Sequence, residues 1–100
     1  MLYSVYCRDK EDTAALREKH LAVHRAHLDA WKDKIFFSGP LQSDDATLAH
    51  GSLFVLNVED RAEAERFIFT EVFYNAGVFA DVTIRRMRKG YYNPALIEGL

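Results

Sequence analysis

The feature that most constrains the fold is the stretch from Thr13 to Lys32, which contains neither glycine nor proline. Its apolar residues recur at helical spacing, and Asp12 or Thr13 can cap the first turn through a side-chain oxygen. The stretch therefore predicts one long helix. Before it, "LYSVYC" (Leu2–Cys7) is rich in aromatic and β-branched residues and ends in a charged turn, which predicts a first strand.

The middle of the chain predicts two further strands. The segment "IFFSGP" (35–40) has strand composition, and we expect Gly39-Pro40 to end it because proline has no N–H to donate. A polar loop, "LQSDDATLAHG", follows. The continuous apolar run from Ser52 to Glu59 has the length of a central strand.

The last part of the chain predicts a shorter helix and a final strand. Asp60 can cap the helix, whose apolar positions continue to Val72. Gly77 follows where a positive φ is often needed, and "ADVTIRRMR" (80–88) alternates like a strand. Residues 89–100 form an apolar C-terminal extension, with turn signals at Gly90 and Asn93-Pro94.

The order strand, helix, strand, strand, helix, strand is typical of a ferredoxin-like α+β fold, with both helices on one face of an antiparallel sheet. The whole chain, residues 1–100, is then a single domain. The other sheet face needs a cover, and a second copy of the chain is the simplest one. We therefore predict a homodimer packed through the sheets, with any higher assembly left open.

Composition excludes several classes of protein. A formal charge of -2 gives no electrostatic basis for binding nucleic acid or an anionic membrane. No apolar run approaches the ~20 residues that span a bilayer. The opening "MLYSVYCRDKED" turns charged after seven residues, so we expect no secretion signal. The single cysteine, Cys7, cannot form an internal disulfide. We expect a cytoplasmic protein in which Cys7 is a small core residue.

Three of the four histidines lie on the apolar side of the first helix. His20, His24 and His27 fall within about 60° of one another, on the same arc as Val23 and Trp31. Such residues can be satisfied core side chains, metal ligands or parts of a wet pocket. The spacing of His20 and His24 permits zinc binding, but a third ligand would have to come from elsewhere in the chain. The candidates for that third ligand are His50, Glu71, Asp44 and Asp45. We predict no metal and no cofactor, since no cofactor motif is present.

Several fragments in order resemble the YCII-related family of small dimeric α+β barrels and, more distantly, the muconolactone isomerase-like barrels. These fragments, which lie within residues 1–88, are "MLYSVYCRDKED", "VHRAHL", "FFSGPL", "GSLFVLNVEDRAEAERF" and "AGVFADVTIRRMR". The resemblance implies a ferredoxin-like subunit, a dimer and a histidine–acid pair. The histidine of a family segment like "RPAHL" maps onto His27, and the acid before the "AG" turn maps onto Glu71. Val72 replaces the proline that usually follows the acid, and His24 replaces an arginine, which would remove a fixed positive charge from the pocket.

A histidine–carboxylate pair suits acid–base chemistry. The carboxylate accepts one ring N–H and fixes the tautomer, so the other nitrogen can take a proton from carbon or oxygen. We therefore predict a small-molecule lyase, isomerase or dehydrochlorinase-like enzyme, with His27 as acid/base and Glu71 as its orienting partner. Two alternatives stay open: a non-catalytic ligand-binding or interaction module, and a structural subunit whose only partner is itself or a larger enzyme. The predicted ligand-binding residues are His24, Ser38, Gly39, Pro40, Phe73 and Tyr74.

Overall fold

The chain forms a sheet of four antiparallel strands, in which the first strand along the chain lies between the third and the fourth, the second strand lies at the edge beside the third, and helices pack on one face. The computed structural model describes residues 1–100. This arrangement confirms the predicted ferredoxin-like α+β fold. In chain order the elements are β1 (Leu2–Asp9), α1 (Ala14–Lys19), α2 (Leu21–Trp31), β2 (Ile35–Gln42), β3 (Ala49–Asn57), α3 (Arg61–Phe69), α4 (Val72–Asn75), β4 (Phe79–Met87) and α5 (Pro94–Glu98).

The predicted long helix is two helices that meet at His20. This residue ends α1 and begins α2, with φ -104° and ψ 9°. Any residue can adopt this conformation, so the break needs no glycine or proline and leaves no signal in the sequence. The prediction of one continuous helix is therefore wrong at His20. Val23, expected on the buried arc, is 58% exposed.

The second strand does not end at Gly39-Pro40. Strand β2 continues to Gln42, and β3 begins at Ala49 rather than Ser52. The reason is position: β2 is an edge strand that pairs only with β3, and an edge tolerates a residue without an N–H.

The start of α3 confirms the predicted cap. The Asp60 carboxylate accepts a hydrogen bond from the backbone N of Glu63 at 2.8 Å. The Glu63 carboxylate in turn accepts from Lys34 Nζ at 2.6 Å and from the backbone N of Glu59 at 3.1 Å. The bond from Lys34 is the main reason that the pKa of Glu63 lies below its usual 4.5. Gly77 has a φ of 84°, as predicted.

The core lies between the helices and one face of the sheet. Because strand side chains alternate, Phe54 and Leu56 of β3 point into this core, whereas Leu53 and Val55 point to the opposite face. No helix covers that opposite face. The buried apolar side chains are Tyr3, Val5, Cys7, Phe54, Leu56, Val58, Ala64, Phe67, Ile68, Phe73, Val78, Phe79 and Ile84.

The C-terminal residues form a short exposed helix, α5. The Tyr92 ring contacts the Phe36 ring of β2, with centroids 5.7 Å apart, whereas Leu96 and Leu100 remain exposed. None of the helices has the length and apolar character needed to cross a membrane.

Two strand glycines provide a matched test of packing. A Cβ at Gly51 would lie 2.2 Å from the backbone oxygen of Cys7, whereas a Cβ at Gly39 would meet nothing within 4 Å. We expect Gly51→Ala to lower the free energy of unfolding by at least about 1–3 kcal/mol, because backbone must shift. Gly39→Ala should leave it nearly unchanged. Denaturant unfolding of both variants measures this, and equal effects would contradict the close approach of β3 to β1 at Gly51.

Candidate active site

The buried carboxylate of Glu71 is the centre of the candidate site. Glu71 lies between α3 and α4 and is 0% exposed, although a glutamate at a helix end is usually solvated. Its Oε2 accepts from the backbone N of Phe73 at 3.1 Å and so caps α4. Its Oε1 lies 2.8 Å from Nδ1 of His24 on α2. Both carboxylate oxygens therefore have partners.

The ring of His24 is fixed by this bond and by stacking. It lies parallel to the Phe73 ring, with centroids 4.1 Å apart and an interplanar angle of 8°. An ionised carboxylate only accepts, so Nδ1 carries the hydrogen. Nε2 has no hydrogen-bond partner within the chain and is not buried. In the neutral ring Nε2 then carries no hydrogen, and solvent can reach it.

The predicted pairing of His27 with Glu71 is not the one in the structure. Nε2 of His27 lies 2.7 Å from the backbone oxygen of Phe67, and its ring lies among Trp31 and Phe67. Residues three apart on a helix differ in direction by about 60°, so His24 and His27 reach different neighbours. His24 points to the corner between α3 and α4, and His27 points to α3. The histidine that pairs with Glu71 is therefore His24 and not His27.

A cavity of about 300 Å³ opens beside His24. The predicted residues His24, Ser38, Gly39, Pro40 and Phe73 all line it; whether they bind a ligand stays a prediction. Tyr74 does not line it: that side chain is 42% exposed and packs on Phe69. The other lining residues are Arg17, Leu21, Arg25, Leu28, Ser52 and Phe54.

Arg17 also belongs to the site, although no sequence pattern had singled it out. Its guanidinium forms two hydrogen bonds with the Asp9 carboxylate, Nε to Oδ2 at 2.7 Å and Nη2 to Oδ1 at 2.9 Å. It also lies over the Phe73 ring, 5.0 Å from the centroid. The pocket therefore has a fixed positive charge, although His24 stands where the resemblance implies an arginine. Arg17, Leu21, His24 and Leu28 follow one helical stripe, and this spacing was the available signal.

Cys7 lies behind the site and is chemically quiet. Burial is the main cause, and the nearby carboxylates of Glu71 and Asp9 add to it; together they raise the pKa of the Cys7 thiol from 9.0 to about 12. A thiol in this state stays protonated near neutral pH and is a poor nucleophile. Cys7 is thus a core residue, as expected. The chain has no group of three or more His, Cys, Asp or Glu side chains that could hold a metal ion.

The four-stranded antiparallel sheet with helices on one face places the chain in the class of ferredoxin-like α+β proteins. Within that class the chain belongs to the YCII-related domain family, whose model matches residues 1–88. No curated protein has a significant sequence match to this chain.

Solved structures similar to this chain include two from other bacterial proteins. One is the 5-chloro-2-hydroxyhydroquinone dehydrochlorinase TftG from Burkholderia phenoliruptrix AC1100 in complex with 2,5-dihydroxybenzoquinone. It is 29% identical, with a TM-score of 0.83, over 90% of this chain and 96% of that one. The other is PA3566 from Pseudomonas aeruginosa, which is 14% identical with a TM-score of 0.52, over 90% and 93% of the two chains. PA3566 supports the fold alone.

The two histidines should be opposite tautomers. His24 donates from Nδ1 to a carboxylate, whereas His27 can bond the Phe67 carbonyl only by donating from Nε2. We expect neutral His24 to be the Nδ1–H form and neutral His27 the Nε2–H form. Long-range ¹H–¹⁵N correlation spectra at alkaline pH distinguish the two forms. In Glu71→Gln the His24 pattern should change and the His27 pattern should not; the same tautomer for both rings would contradict the assignment.

Proposed function

We propose that this protein is a small-molecule lyase that needs no cofactor and eliminates a leaving group, such as chloride, from a hydroxylated ring. One observation carries the proposal: Nδ1 of His24 is 2.8 Å from the buried Glu71 carboxylate, while Nε2 is left free beside a cavity. The similarity to a dehydrochlorinase, 29% identical over most of both chains, supports this reaction class.

In the proposed reaction His24 is the general base and Glu71 its positioning residue. Elimination from a chlorinated hydroquinone needs two proton movements. One hydroxyl proton moves to the chlorine-bearing ring carbon and gives a keto tautomer. The second hydroxyl then gives its proton to Nε2 of His24 while the C–Cl electron pair leaves with chloride. The net change is loss of HCl and formation of a quinone, so the C–Cl bond itself supplies the oxidising equivalent.

The pocket walls would hold the ring during this step. Phe73 fixes the plane of the His24 ring by stacking, and Phe54 and Leu28 add apolar surface to the cavity. A ring that packs against these side chains keeps one hydroxyl near Nε2. This positioning lowers the entropic cost of bringing the hydroxyl and the base together. The predicted roles of Ser38, Gly39 and Pro40 as a pocket wall belong to this proposal.

Variants of the two histidines test the assignment of the base. With 5-chloro-2-hydroxyhydroquinone under anaerobic conditions, we expect His24→Gln to lower kcat/KM for chloride release by about 10²–10⁴-fold. Glu71→Gln should also lower it, since an amide no longer enforces one tautomer. His27→Gln is the matched control, because it replaces another histidine of α2 that does not contact Glu71.

Each outcome of this experiment is informative. Loss of activity in His27→Gln with His24→Gln unaffected would contradict the assignment. Binding of the substrate without chloride release by the wild type would contradict the lyase proposal and favour the non-catalytic ligand-binding alternative. Thermal unfolding of each variant shows whether a loss of activity is a loss of fold.

We also propose that two copies of the chain pack through their open sheet faces. Tyr6 and Phe37 are each 40% exposed, and they share this face with Leu53 and Val55, which no helix covers. An uncovered apolar sheet face is typical of an interface.

Light scattering tests this assembly. We expect the wild type to have twice the 11.5 kDa mass of the chain. Val55→Lys should give a monomer, because it places a charge at the centre of the face. Val23→Lys, on the exposed side of α2, should stay dimeric. A monomeric wild type, or a dimeric Val55→Lys, would contradict the proposed interface.

A further inference from the structure

We infer that the pocket binds its substrate as a planar monoanion, with an oxyanion on Arg17 and a retained hydroxyl on His24. This inference rests on the proposed site and names the ionic form of the ligand that the site selects.

The first step is the hydrogen-bonding state of Arg17. Its Nε and Nη2 groups are occupied by Asp9, the backbone oxygen of Gly51 and the Ser52 hydroxyl. Nη1 has no hydrogen-bond partner within the chain, and solvent can reach it. The Asp9 carboxylate holds the guanidinium through two parallel bonds, so the free Nη1 edge is fixed in place. A fixed, partly used guanidinium beside a cavity is a preorganised donor for an anion.

The second step is the direction of the serine hydroxyls. Ser52 Oγ accepts from Arg17 Nη2 at 3.1 Å, so its own hydrogen is free to donate to a ligand. Ser38 faces the same cavity with no side-chain hydrogen bond of its own and can also donate. The Arg17 edge of the pocket therefore presents donors. Nε2 of His24 is an acceptor while the ring is neutral, so the two parts of the pocket have opposite polarity.

The third step is the charge around the cavity. Arg17 and the more exposed Arg25 are positive, and Asp9 and the buried Glu71 are negative. With neutral His24 these four charges cancel. A monoanion gains the contact with Nη1 at little further electrostatic cost. A dianion would bring a second negative charge near Glu71, and it would lose the hydroxyl that can donate a hydrogen bond to Nε2 of His24. The pattern favours a ring with one oxyanion and one hydroxyl.

The experiment uses 4-nitrocatechol as probe, because its monoanion has its own visible absorption band and it has no chloride to lose. At a pH below its first ionisation, we expect wild-type protein to convert the spectrum to the monoanion on binding. The double variant Asp9→Asn with Arg17→Gln removes both charges together and so leaves no unpaired buried carboxylate. It should bind the monoanion about 10- to 100-fold more weakly, which is the loss expected for one charge-assisted contact.

Two controls sharpen the result. Arg25→Gln removes a more exposed cation of the same pocket that makes no hydrogen bond with Asp9, and it should weaken binding less than the double variant does, by no more than about fivefold, as for an exposed charge. The probe 2-methoxy-4-nitrophenol ionises at the same position but lacks the second hydroxyl. It should bind wild type more weakly than 4-nitrocatechol, and this difference should shrink in His24→Gln.

Several results would overturn the inference: no binding of 4-nitrocatechol, binding of its neutral form, or equal affinity in the double variant. Failure here is separable from failure of the lyase proposal. Binding of the monoanion without chloride release from 5-chloro-2-hydroxyhydroquinone would leave this inference standing and remove the lyase. Chloride release that is unchanged in the double variant would leave the lyase proposal standing and contradict this inference.

Discussion

The candidate site depends on one buried carboxylate with two hydrogen bonds. Glu71 caps α4 with one oxygen and holds the His24 ring on α2 with the other. A carboxylate out of contact with water is costly unless both oxygens have partners, so the corner between α3 and α4 and the ring of His24 stabilise each other. The same bond sets the tautomer of His24. Local folding of this corner and the chemistry of the pocket therefore have the same origin.

A second polar pair stands on the other side of the pocket. Asp9 ends β1, and its carboxylate fixes Arg17 of α1, which also contacts Gly51 and Ser52 of β3. Both pairs contact the Phe73 ring, His24 by stacking and Arg17 through its guanidinium. The acceptor and the cation of the pocket are thus positioned against one aromatic ring. Such positioning lowers the reorganisation needed when a ligand binds.

Sequence patterns predicted most of the fold but not the pairing within the site. Strand composition, the Asp60 cap and Gly77 are local signals, and the structure confirms them. Periodicity placed three histidines on one side of a helix but could not decide which of them reaches Glu71, because that depends on how α2 packs against the α3–α4 corner. Arg17 was harder to find, since its partners are 8, 34 and 35 residues away along the chain. The break at His20 has no local signal at all.

Strand β3 links the pocket to the open face of the sheet. Ser52 and Phe54 point to the cavity, and the alternate residues Leu53 and Val55 point to the uncovered face. The pocket wall of β2, which carries Ser38 and Pro40, hydrogen-bonds only to β3, because β2 is an edge strand. A partner that covers the open face would therefore also restrict the motion of β3, to which the β2 wall of the pocket is hydrogen-bonded. For this reason assembly and ligand binding should be energetically coupled even though they use opposite faces of the sheet.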